Sequence, residues 1–149
     1  AIEACKEAVA AYPEEPRFHY QLGRAIVYQA DRANSDWRLG LPHLEDAAKM
    51  GHTQALFVMG LMEQREQDFC GAEPYTRAAA NAGLKSARIS YVNEYLSGRL
   101  NDCPPRASLE DMAGFLEDAQ EQVSGWYENM LLEALSRQLD AARDQLEDR

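Results

Sequence analysis

Pro42-His-Leu-Glu-Asp-Ala-Ala-Lys-Met-Gly51 and Pro74-Tyr-Thr-Arg-Ala-Ala-Ala-Asn-Ala-Gly83 align without a gap. They share the proline, two alanines (Ala47 and Ala48, Ala79 and Ala80) and the glycine at an offset of 74 − 42 = 32 residues, and the identity runs on to Ala55 and Ala87. A third copy lies upstream at an offset of 37: Ala10 and Ala11 fall on Ala47 and Ala48, Leu22 on Met59, and Gly23 on Gly60. The unequal offsets place an insertion around Asp31 to Leu39. A period of 20–50 residues is the mark of a stacked-repeat architecture, in which each unit buries its apolar face against the next.

Within each copy, small and apolar residues recur at helical spacing and are punctuated by Gly or Pro, so each copy reads as a pair of antiparallel helices. The spacing predicts helices over residues 1–11, 17–30, 41–50, 53–66, 73–82, 85–97, 108–121 and 124–147. Pro42 and Pro74 are expected in the first turn of their helices, where a missing amide hydrogen costs nothing. Gly51 and Gly83 are expected just past helix ends, where the left-handed backbone is cheap for glycine. The paired alanines and Gly23 or Gly60 would let two helix backbones approach closely.

The string Gln-Leu-Gly-Arg-Ala at 21–25, after Pro13 and Pro16, resembles the first helix of a tetratricopeptide repeat, and Ala-Ala-x-x-Gly-x-x-x-Ala at 47–55 and 79–87 resembles Sel1-like repeats. The resemblance covers roughly residues 1–100. It implies an all-α, right-handed solenoid of helix hairpins, one domain over 1–149 with repeats at roughly 1–30, 41–66 and 73–97. The pattern then departs: Tyr91-Val92 stands where a Leu-Gly pair is usual, and 108–147 keeps only a trace in Leu116-Glu-Asp-Ala-Gln120. A solenoid must end on a helix whose outer face tolerates water. Residues 124–147 are expected to be that cap, packing Trp126, Met130, Leu131, Ala134, Leu135, Leu139, Ala142 and Leu146 as one apolar stripe. The same near-heptad pattern would also serve a dimerisation or partner-docking helix.

Composition bounds the function. The 149 residues are 46% hydrophobic and 27% charged, as in an ordinary domain with a core, and no run of about 18 apolar residues is present to span a membrane. Ala1 falls inside a helical pattern with no basic and apolar leader before it, and an upstream segment is expected. Net charge is −10 with a pI near 4.7, which argues against nucleic acid as a partner. His19, His43 and His52 stand singly, the cysteines form no CxxC pair, and phosphate-cradling or nucleophile-elbow motifs are absent. Neither a metal nor a cofactor is expected. Adjacent carboxylates such as Glu45-Asp46, Glu110-Asp111 and Glu117-Asp118 point in different directions on a helix and read as solvated faces rather than acid–base pairs. The chain is read as a non-enzyme.

Binding is the expectation that the resemblance carries, since stacked hairpins of that family hold peptides or proteins on a concave groove. Counting three before, one after and four after Gly23, Gly60 or Val92 selects Tyr20, Arg24 and Val27, then Phe57, Leu61 and Gln64, then Ile89, Asn93 and Leu96. Arg17, Tyr28 and Arg65 lie beside that stripe. None of the nine counted positions is acidic, although the chain carries 25 Asp and Glu. An apolar groove with a basic edge suits a peptide with an acidic group or a free carboxylate beside an apolar anchor. Tyr20, Phe57 and Ile89 would serve equally as interhelical core. A regulatory module of a larger protein and an oligomeric scaffold joined through 124–147 are the other two readings.

Cys70 and Cys103 are expected in successive loops, one residue out of register with the repeat, and are candidates for a disulfide. Cys5 would pair with an upstream cysteine in an oxidising compartment, or all three would be small buried thiols in the cytoplasm. Similar Sel1-like proteins often carry leaders, so the resemblance leans towards a bacterial, extracytoplasmic location.

Overall fold

The computed structural model describes residues 1–103 and 106–148. Eight α-helices and no strand are found among the described residues: α1 (Ile2–Ala11), α2 (Pro16–Ala33), α3 (Leu41–Lys49), α4 (Thr53–Arg65), α5 (Phe69–Asn81), α6 (Lys85–Leu96), α7 (Leu109–Glu121) and α8 (Trp126–Glu147). The fold is all-α. The expected insertion is partly structured, because α2 runs on to Ala33 and a 3-10 turn at Trp37–Gly40 leads into α3.

Helix ends explain the spacing of the turns. Asn34, Gly51, Gln67, Gly83 and Gly98 have positive φ, at intervals of 17, 16, 16 and 15 residues. After each of them the next amide bonds back to the carbonyl five residues earlier: Ser35 to Ala30 (2.9 Å), His52 to Ala47 (3.0 Å), Asp68 to Glu63 (3.0 Å), Leu84 to Ala79 (3.1 Å) and Arg99 to Glu94 (3.1 Å). This is the Schellman closure of a helix C-terminus. One helix with its turn therefore occupies about half of the 32-residue repeat, and the full period holds two.

Starts are fixed by side-chain caps. Asp68 accepts from Gly71 N at 2.7 Å, and Ser108 and Asp111 form a reciprocal capping box at 2.9 and 3.0 Å. The Asp68 cap starts α5 at Phe69, ahead of the expected boundary. Two expectations fall with it. Pro74 lies inside α5 rather than in its first turn, so α5 forgoes the bond that residue 74 would have given to the Cys70 carbonyl. Cys70 lies in the first helical turn of α5, not in the preceding loop. Pro42 does sit in the first turn of α3.

Each helix packs on the next in the chain, and α8 also reaches α6. Glycines sit at the tight contacts between helices, and a methyl at Gly40 would lie 2.6 Å from the Gly23 carbonyl oxygen. A methyl at Gly23 would lie 2.7 Å from Leu44 Cγ and 3.0 Å from the Gly40 carbonyl oxygen; one at Gly60 would lie 2.6 Å from Thr76 Oγ1. Glycine thus closes α2 on the start of α3, and α4 on α5. The core has two parts, one around Leu44, Ala47 and Met59, the other around Tyr91, Leu116 and Leu135, with Leu56 packing on both. α1 contributes no buried residue.

α8 departs from the single stripe expected of it. Leu132, Leu135 and Leu139 face the core, whereas Trp126, Met130, Leu131 and Leu146 are exposed. Apolar residues wrap more than one side of this helix, so spacing alone did not separate the inner set from the outer.

Candidate functional site

The even-numbered helices lie side by side. Tyr20 of α2 stacks on His52, which caps α4, with ring centroids 4.5 Å apart. Arg65 of α4 pairs with Asp31 of α2 at 2.9 Å, Gln64 of α4 donates to Glu94 of α6 at 2.6 Å, and Lys85 of α6 pairs with Glu128 of α8 at 2.8 Å. These links tie α2, α4, α6 and α8 to one another in order.

The structure divides the sequence-selected residues between its outside and its interior. Val27 and Tyr20 pack on the Leu44 cluster; Phe57, Ile89 and Leu96 pack on the Tyr91 cluster. Arg17, Arg24, Tyr28, Leu61 and Asn93 are exposed. Gln64 serves the interior through Glu94. Arg65 does not offer a free cationic edge, since it pairs with Asp31 and lies 4.4 Å from the Trp37 ring centroid.

The outward residues concentrate on α2. Arg17, Gln21, Arg24, Tyr28 and Arg32 are all exposed and fall on one line, at steps of four, three, four and four residues. Tyr28 is 68% exposed. Arg24 donates to the Tyr20 hydroxyl at 3.3 Å, a bond to a neutral group that leaves its charge uncompensated there. A cleft of about 460 Å³ runs between Tyr20, Arg24 and Tyr28. It adjoins a second of about 500 Å³ that reaches Ile2, Gln29 and Arg32. Gln21 and Arg32 were not selected from the sequence; the helical step from Arg17 is the signal that finds them.

The interior holds a polar cluster that sequence reasoning missed. Glu73 is 3% exposed and accepts from Arg77 Nε at 2.7 Å and from the Tyr91 hydroxyl at 2.7 Å. The Tyr91 oxygen in turn accepts from Ala107 N at 2.8 Å. Burial pushes the Tyr91 hydroxyl well above its ordinary range, so it stays a proton donor. Glu94 is 1% exposed; its Oε1 accepts from Gln64 and Ser90, while its Oε2 has no protein partner. Burial raises the Glu94 carboxyl, against the lowering effect of those two hydrogen bonds. The cluster ties α4, α5, α6 and the entry to α7 together. Cys70 and Cys103 are disulfide-bonded beside it, with Cα atoms 5.0 Å apart, closing a loop of 33 residues. Loop-closure entropy gives such a link about 3–4 kcal/mol.

The histidines stand apart from one another in role. His19 is buried and hydrogen-bonds the Pro13 carbonyl at 2.8 Å, and His52 Nδ1 accepts from Ala55 N at 3.2 Å. Among the described residues, no three His, Cys, Asp or Glu side chains converge into a metal-binding group. No described helix is long and apolar enough to cross a membrane. No protein-family model matches the chain, and no curated protein matches its sequence.

Proposed function

We propose that the chain is a right-handed solenoid of the Sel1-like kind and works as a non-catalytic adaptor. It holds a peptide or partner-protein segment on the outer face of α2, continuing past Leu61 towards Asn93. The observation that carries this reading is the line of Arg17, Arg24 and Arg32 around the exposed Tyr28. In a chain of net charge −10 such a line attracts an acidic segment, while Tyr28 and the adjoining clefts accept an aromatic or aliphatic anchor. The turns at half-repeat spacing and the glycine-closed helix pairs support the repeat architecture. The Cys70–Cys103 bond supports an oxidising compartment.

The test is selection from a displayed library of random peptides on the wild-type chain and on an Arg24→Glu/Tyr28→Ala variant. Both positions are exposed, so helicity should be unchanged, whereas Phe57→Ala would open the core. Wild type should enrich Asp- and Glu-rich peptides with a Tyr or Leu anchor, and the variant should lose them at least tenfold. Recovery of the same peptides by both proteins would sink the reading.

A further inference from the structure

α8 is covered on three sides and bare on the fourth. Leu132, Leu135 and Leu139 enter the core. Glu128 and Leu131 face α6 across a cleft shared with Ile89 and Asn93. Ser136 and Asp140 line a groove against α7, where Asn129 also meets Gln120. Opposite the core stand Trp126 (67% exposed), Tyr127 (83%) and Met130 (49%), with Leu131 (46%) at the edge. The first two rings pack edge to face on each other, 4.9 Å apart, and leave their outer faces to solvent.

The bare face has a spacing of its own. Tyr127, Met130, Ala134, Arg137 and Ala141 alternate steps of three and four residues, the seam of a two-helix coil. In an antiparallel pair, the residues at the two seam positions face each other. Centred between Met130 and Ala134, the layers are Tyr127 against Arg137 of the other copy and Met130 against Ala134 of the other copy, each made twice by the two-fold axis. Large faces small, and a guanidinium lies over an aromatic ring. A parallel pair would instead set Arg137 on Arg137. With aromatic side chains of 150–250 Å² each, the four exposed residues offer on the order of 500 Å² per copy. Used by both copies, that reaches the ~1,000 Å² at which specific interfaces begin.

We propose that the chain forms a two-fold homodimer through the outer face of α8, antiparallel, with Tyr127 of one copy against Arg137 of the other. The binding faces on α2 are then presented in pairs, although the dimer does not depend on what those faces bind.

Sedimentation equilibrium of the full chain from about 1 µM to about 1 mM, the range that suits an interface of this size, tests it. The weight-average mass should rise from one chain towards two. Met130→Glu, at an exposed site that leaves helicity unchanged, should weaken association at least tenfold. A mass of one chain throughout would overturn the proposal and leave the face to a different partner; so would a dimer indifferent to Met130→Glu. Register is read separately, in a Cys5→Ser background, with a short bis-maleimide. Tyr127→Cys chains mixed with Arg137→Cys chains should couple, whereas coupling of Tyr127→Cys chains among themselves would overturn the antiparallel arrangement.

Discussion

Tyr91→Phe removes one oxygen and unties three segments. The ring is fully buried and meets Phe115 edge to face, 5.9 Å between centroids, a contact that phenylalanine keeps. What goes is the donor to Glu73 Oε1 and the acceptor of Ala107 N. A hydrogen bond to a charged acceptor contributes about 1.5–3 kcal/mol, and a buried amide left without a partner costs about 1–3 kcal/mol. Arg77 still pairs with Glu73, so no carboxylate is stranded and the two costs overlap. A net loss of about 3 kcal/mol follows, a large part of the 5–15 kcal/mol typical of a domain. In urea, with slopes of about 1–3 kcal/mol/M, the midpoint should fall by about 1–3 M. In a thermal melt, Tm should fall by about 6–12 °C. Far-UV circular dichroism of both unfolding curves is the assay. A midpoint within about 0.2 M of wild type would refute the reasoning, because it would mean that neither bond is made in the folded protein.

Gln67→Gly should stabilise the chain by about 0.5–1 kcal/mol, because Gln67 holds φ at +64° where a side chain costs about 1–2 kcal/mol and glycine gives back part as unfolded-state entropy. A thermal melt that moves down instead of up would refute it. Glu94→Gln should change how stability depends on pH. Burial holds this carboxyl above its ordinary range, with Glu73 opposing and Arg99 favouring its ionisation, so the folded chain keeps the proton that the unfolded chain has lost. Its contribution is therefore complete below the ordinary carboxyl range and is lost as pH rises through the raised folded value. The amide does not titrate and preserves the acceptor used by Gln64 and Ser90. Its stability relative to wild type should grow with pH across that window, and a constant difference in urea melts would count against the buried carboxylate.

The helices and their glycine turns were legible because each rests on a local rule: an apolar period of 3.6 residues, and a residue with positive φ at the helix end. Asn34 and Gln67 obey the second rule without a glycine, and the breaks expected after residues 30 and 66 fall close to them on the apolar period alone. Pro74 misled because proline fits a first turn so well, and only the Asp68 cap shows that α5 starts earlier. Faces were harder than helices. Val27 and Arg24 lie one step apart on the counted stripe, yet one packs on Leu44 and the other meets solvent, since the stripe straddles the edge between two layers. The buried carboxylates were read with the solvated ones because a sequence does not show desolvation. Their trace was present all the same: Glu73 stands four residues before Arg77, and Glu94 sits between Tyr91-Val92 and Tyr95-Leu96.

The distribution of those polar ties gives the chain a direction. Gln64 to Glu94, Arg77 and Tyr91 to Glu73, Ala107 to Tyr91 and Cys70 to Cys103 all lie between α4 and the start of α7. Each buried acceptor there fits one arrangement of neighbours, so a helix that slides or rotates against the next leaves a charge or an amide bare. Apolar contacts alone would tolerate such a slip, above all between alanine-rich faces like Ala79-Ala80 and Ala47-Ala48, which present nearly the same surface at several positions. The cluster thus sets register where the repeat's own side chains discriminate least. At the two ends the chain relies more on shape. α1 buries no residue fully, and α8 holds on by three buried leucines and polar ties at its rim, Lys85 to Glu128 and Gln120 to Asn129, while its aromatic face stays open. The middle is locked from within, and the proposed contacts with other molecules fall on α2 and α8, outside it.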